Sequence, residues 1–89
     1  MTKLVKAVHV AGHTVRLEFS DGTWGDCDLA YVVQKGTALT EPLREPAEFR
    51  RFFVDAGALA WPNGLDLDPE TLHARLEQAG KLHARDAAA

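Results

Sequence analysis

Two carboxylates, Asp66 and Asp68, stand close to an aromatic and an amide in the segment Trp61-Pro62-Asn63-Gly64-Leu65-Asp66-Leu67-Asp68-Pro69. Acids paired in this way could act as general acid and base or hold a hard cation. A quieter reading competes with that chemistry. Asp68 immediately precedes Pro69 and a helical pattern, which makes it a natural N-cap, and Asp66 is placed to hydrogen-bond the Asn63-Gly64 turn. Capping already accounts for Asp68, and an acid/base site would need a partner with a shifted pKa, which is not evident. The structural reading of both acids is therefore preferred.

The other reactive residue types lead to weaker sites. His9, His13, His73 and His83 include one pair spaced by four, a spacing that would share a face on a helix. Here His9 lies on a strand and His13 in the turn after it, and no Cys/His set has zinc-like spacing, so no metal site is expected. Cys27, the only cysteine, is flanked by Asp26 and Asp28, which disfavour the thiolate a nucleophile needs. Arg44, Arg50 and Arg51 cluster among phenylalanines, but Glu45 and Glu48 sit between them, as on a solvated helix face. No phosphate loop, dinucleotide fingerprint or nucleophile elbow is present. Trp24, Tyr31 and Trp61 could anchor an interface, although in a small chain aromatics are also prime core material. No catalytic, cofactor-binding or metal-ligating residue is assigned, and no cofactor is expected. The candidate interaction or ligand site comprises Trp24, Trp61, Asn63, Asp66 and Asp68.

The elements that must position these residues follow from periodicity. Residues 4–10 have strong β character, and Val15, Leu17 and Phe19 alternate with Arg16 and Glu18 as in a half-buried strand. A two-residue turn at Gly12-His13 would set Val10 against Val15 and Val8 against Leu17. After Phe19, a two-residue loop at Asp21-Gly22 would bring Asp26 to the core face. A three-residue loop with Gly22 left-handed instead sets Gly25 opposite Leu17 and Cys27 opposite Val15, and is preferred because it leaves Asp26 in water. That register turns Trp24 away from the core face, so that it needs cover from the domain or from a partner. Residues 28–33 read as a short helical turn and residues 34–40 as a loop. Pro46 begins a helix over about 46–53 whose apolar face is Phe49, Phe52 and Phe53. Two extended pieces surround Gly57. A second helix starts after Asp68, carries Leu72, Leu76 and Ala79 on one stripe, and stops at Gly80. Residues 81–89 read as a patternless tail.

In order, Phe19-Ser20-Asp21-Gly22, Asp28-Leu29, Pro42-Leu43 followed by Phe49, Trp61-Pro62-Asn63-Gly64, and Asp66-Leu67-Asp68-Pro69 with Leu72 resemble the bacterial domain-of-unknown-function family 2442 (DUF2442). The resemblance spans roughly residues 4–76, and its Trp-Pro-Asn-Gly to Asp-Pro part is the specific one. It implies a small α+β domain with an antiparallel sheet and one or two helices, with no established activity and no agreed catalytic residues. Some relatives carry a helix-turn-helix after this domain, and others are encoded beside small toxin-like proteins, which implies an antitoxin or adaptor role. No such helix-turn-helix pattern follows Gly80 here.

Charge and composition complete the expectations. At 89 residues and 46% hydrophobic content, the chain suits one small globular domain, over residues 1–80. Ten basic and thirteen acidic residues leave a net charge of −3, without the basic excess of a duplex-binding surface. No apolar run reaches the ~18 residues of a membrane helix, and one cysteine fits a reducing compartment, so the expected address is the cytoplasm. The expected fold is α+β: a three-stranded N-terminal meander plus short strands, with one short and one longer helix. The expected role is a non-enzymatic protein-interaction or regulatory module, antitoxin-like or adaptor, with a small basic protein partner or a second copy joined at a sheet edge. The alternatives are a ligand-binding domain or enzyme centred on Asn63, Asp66 and Asp68, and an accessory protein binding nucleic acid weakly through Arg44, Arg50 and Arg51.

Overall fold

The computed structural model describes residues 2–84, and the chain forms an α+β fold with two antiparallel sheets. The larger sheet contains β1 (Leu4–Ala11), β2 (Thr14–Phe19), β3 (Thr23–Asp28) and β7 (His83–Ala84), in that order. The smaller contains β4 (Phe53–Asp55), β5 (Ala58–Ala60) and β6 (Asp66–Leu67). Among the described residues three helices join them: α1 (Ala30–Val33), α2 (Pro46–Phe49) and α3 (Pro69–Gln78), with a 3₁₀ turn over Glu41–Arg44. Among the described residues no helix is long and apolar enough to cross a membrane.

β2 forms the centre of the core, with Val15, Leu17 and Phe19 all at most 1% exposed. Leu29 and Val32, Leu43, Phe49, Leu59, Trp61, Leu72 and Leu76 close over it in a single cluster. The β2–β3 register is the one expected from a three-residue loop, Leu17 facing Gly25 and Val15 facing Cys27. Gly22 is left-handed at φ 86°, and the Asp21 carboxylate accepts hydrogen bonds from the Thr23 amide and hydroxyl.

The β1–β2 register differs from expectation. The turn does fall at Gly12-His13, with Ala11 facing Thr14, but the register shifts at Val10 and again at Val5. His9 therefore faces Val15 and Ala7 faces Leu17, while Val8 lies across from Arg16. An extra residue in one strand moves every following side chain to the other face. The small Ala7 and the flat His9 ring now look inward, where Phe49 meets His9 and His13 edge-on. The cost is exposure: Val5, Val8 and Val10 are 57%, 43% and 47% exposed.

The helix expected over 46–53 is also shorter. α2 makes one turn, closed by the Arg50 amide on the Pro46 carbonyl, and Phe53 enters β4 instead, where it pairs with Ala60 and is 45% exposed. Strand pairing with β5 overrides an amphipathic pattern only two turns long. The β4–β5 turn holds both Ala56 (φ 50°) and Gly57 (φ 84°) left-handed, the type I′ pattern.

α3 runs as read from the sequence, burying Leu72 and Leu76, although Ala79 is exposed. It ends in a Schellman motif: Gly80 at φ 70°, its amide on the Glu77 carbonyl and the Lys81 amide on the Leu76 carbonyl. This motif turns the chain back along β3, so residues 81–84, expected to begin a patternless tail, instead lead into β7, which pairs Ala84 with Thr23 and His83 with Trp24. The remainder of that expected tail, 85–89, lies outside the described residues. The close approach depends on Gly25, where a Cβ would stand 2.7 Å from the Lys81 carbonyl oxygen.

Ala56 is the only non-glycine residue at positive φ among the described residues. A non-glycine side chain there costs about 1–2 kcal/mol, and asparagine tolerates the conformation better. Ala56→Asn is expected to stabilise the fold by about 0.5–1 kcal/mol, read as a higher urea midpoint with an unchanged slope.

Candidate functional site

The structure disperses the five candidate residues. Trp61 is 2% exposed and belongs to the core, its indole Nε1–H donating to the Phe49 carbonyl at 2.8 Å. The Trp61-Pro62-Asn63-Gly64 run is the loop of the β5–β6 hairpin, closed by the Gly64 amide on the Trp61 carbonyl and the Trp61 amide on the Leu65 carbonyl. Asn63 is engaged at both ends of its amide: Oδ1 accepts from the Leu65 N–H at 3.1 Å, and Nδ2 donates to the Leu39 carbonyl at 2.8 Å. This side chain ties the 34–40 loop to the hairpin.

Asp68 occupies the N-cap position of α3, but its carboxylate accepts from the Thr71 hydroxyl at 3.0 Å rather than from a backbone amide. The expected side-chain cap is thus replaced by a bond within the first turn. Asp66 does not fold back on the Asn63-Gly64 turn. It is an exposed residue of β6, and Asn63 itself supplies the turn's side-chain acceptor. Asp66 and Asp68 do share the wall of a depression of about 160 Å³, floored by Val32, Leu67 and Leu72. Asn63 does not line it.

Trp24 lies on the outer face of the larger sheet, half-buried between neighbours on both adjoining strands. The Arg16 guanidinium stands 4.6 Å from its ring centroid, and the His83 ring lies at 4.6 Å. Its cover therefore comes from the domain. Arg16 also binds Asp26 with two bonds, 2.8 and 3.1 Å, and this fork holds the Asp26 carboxyl below the usual carboxylate range.

Arg50 apart, the remaining reactive residues are held by burial or by partners within the domain. Cys27 is 2% exposed, and burial pushes its thiol pKa up, away from the thiolate. His73 Nε2 meets Asp21 Oδ2 at 2.9 Å while its ring rests edge-on against Phe19, joining α3 to the β2–β3 turn. Arg44 pairs with Glu41 and Arg51 with Glu48, each at 3.4 Å. Among the described residues no set of three His, Cys, Asp or Glu side chains could hold a metal ion.

A second depression, of about 220 Å³, lies where α3 crosses β3, and sequence reasoning did not find it. Tyr31, Arg75 and Lys81 come to it from separate parts of the chain. Arg75 lies over the Tyr31 ring, 3.6 Å from its centroid, across a sequence separation that no local pattern reports.

Trp61→Phe keeps the ring but removes the donor and strands the Phe49 carbonyl. It is expected to cost about 1–3 kcal/mol, measured as a lowered urea midpoint. For Asp26, a depressed folded pKa contributes stability above the unfolded value, about 3.9, and loses it as pH falls through the folded value. Asp26→Asn is therefore expected to destabilise slightly at neutral pH, the pair being exposed, and to match the parent protein in strong acid, as read from urea titrations at both pH values.

No curated protein and no solved structure matches the chain. The family described as "Protein of unknown function (DUF2442)" matches residues 4–78, from the first residue of β1 to the last of α3. The hairpin loop at Trp61–Gly64, the Asp68–Pro69 helix start and the three-stranded meander all lie within that match, and the chain belongs to this family.

Proposed function

We propose that this protein is a non-enzymatic interaction module that acts by binding another protein, in an antitoxin-like or adaptor role. The observation that carries the reading is the row of exposed valines, Val5, Val8 and Val10, on the outermost strand of the larger sheet. Single exposed apolar residues are ordinary, but three on one edge strand form a surface that gains by being covered. The register shifts at Val5 and Val10 interrupt a regular ladder, and the Leu4 amide is already bonded to the Gly57 carbonyl. Continuous strand pairing with a second copy is disfavoured by such bulges. A partner that covers the valines with apolar side chains fits this edge better. The net charge of −3 favours a basic partner, drawn in by complementary charge.

The test is affinity capture of the tagged protein from its native host at natural expression, beside a Val8→Glu variant shown by circular dichroism to keep its fold. A stoichiometric basic protein retained by the parent and lost from the variant is the expected result. A parent that brings down no partner, or a partner held equally by both, would overturn the reading.

A further inference from the structure

The 220 Å³ depression at the crossing of α3 and β3 carries charges of both signs, and they are not equally occupied. Of its two acids, Asp26 is committed to Arg16, whereas Asp28 spends one carboxylate oxygen on the Ala30 amide at 2.9 Å and has no side-chain partner for the other among the described residues. Of its two bases, neither Arg75 nor Lys81 makes an ion pair or a side-chain hydrogen bond among the described residues. Both bases are nonetheless positioned. Stacking on Tyr31 holds the Arg75 guanidinium plane while leaving its N–H donors without a partner among the described residues, and the Schellman motif sets the backbone of Lys81.

We propose that this depression binds a small zwitterion of the α-amino-acid class, its carboxylate on Arg75 and Lys81 and its ammonium on the free oxygen of Asp28. The mixed lining selects the class. A simple carboxylate would face Asp26 and Asp28, and a simple amine would face Arg75 and Lys81; a ligand with both charges meets both walls. The half-buried Tyr31 gives an apolar side chain something to lie against. The site is open to solvent, so affinity is expected on the order of millimolar. This inference stands apart from the protein-partner reading and uses a different face.

The experiment is a ¹H–¹⁵N titration of the full chain with L-leucine, and separately with acetate and butylamine as single-charge probes at matched ionic strength. Saturable shifts confined to residues 27–31 and 75–81 with leucine, and weaker ones with either single-charge probe, are expected. Arg75→Gln and Asp28→Asn, the latter keeping the acceptor for Ala30, should each weaken leucine binding by about tenfold, as loss of a charge-assisted bond does. Absence of a saturable shift, acetate or butylamine matching leucine, or unchanged leucine affinity in both variants would overturn the assignment. The probe comparison needs only the parent protein, so it decides even if a variant fails to fold.

Discussion

The buried Trp61 indole is the joint on which the second half of the structure depends. Its ring fills the core against Phe49 and Phe52, and its one polar atom finds the Phe49 carbonyl. That carbonyl sits at the end of a one-turn helix, where intrahelical partners run out. A single hydrogen bond thus ends α2, satisfies the indole and docks the smaller sheet onto the core. Asn63 adds a second tie, from the same hairpin loop to Leu39. Density of turn residues in this segment is therefore explained by architecture: an 89-residue chain with a modest core needs its loops bonded to one another.

The larger sheet solves a different problem. Its β2 is fully buried on one face, but β1 must also leave room for Phe49. The register shift at Val10 turns Ala7 and His9 inward, the shift at Val5 then brings Leu4 to the core, and three valines are left at the surface. On the other side of β2, Gly25 lets the chain leaving α3 pass close over β3. β7 can then pair with β3, and His83 reaches Trp24. The exposed valines, the covered tryptophan and the charged depression beside Cys27 are all consequences of how α2 and α3 pack on this sheet.

The geometry gives the Trp-Pro-Asn-Gly to Asp-Pro segment an architectural task. Trp61, Asn63 and Asp68 are each engaged by a backbone or neighbouring group within the domain. The two proposed binding surfaces lie elsewhere, on the outermost strand and at the crossing of α3 with β3.

Local patterns determined much of this protein. Alternation in β2, the three-residue loop with left-handed Gly22, the start of α3 at Asp68-Pro69 and its stop at Gly80 were legible because each is set by periodicity of 2 or 3.6, or by one residue's backbone preference. Trp61, offered by the sequence both as core and as an interface anchor, is placed in the core. Tertiary structure decided the rest. The shift at Val10 sets His9 against Phe49, some forty residues away, and Phe53 joins a strand because Ala60 is there to pair with it. β7, the Tyr31–Arg75 stack and the Asn63–Leu39 bond are long-range meetings with no local signature. Sequence spacing reports which side of its own element a residue faces; it carries no information about which distant group will stand opposite, because that depends on how the elements share one small core.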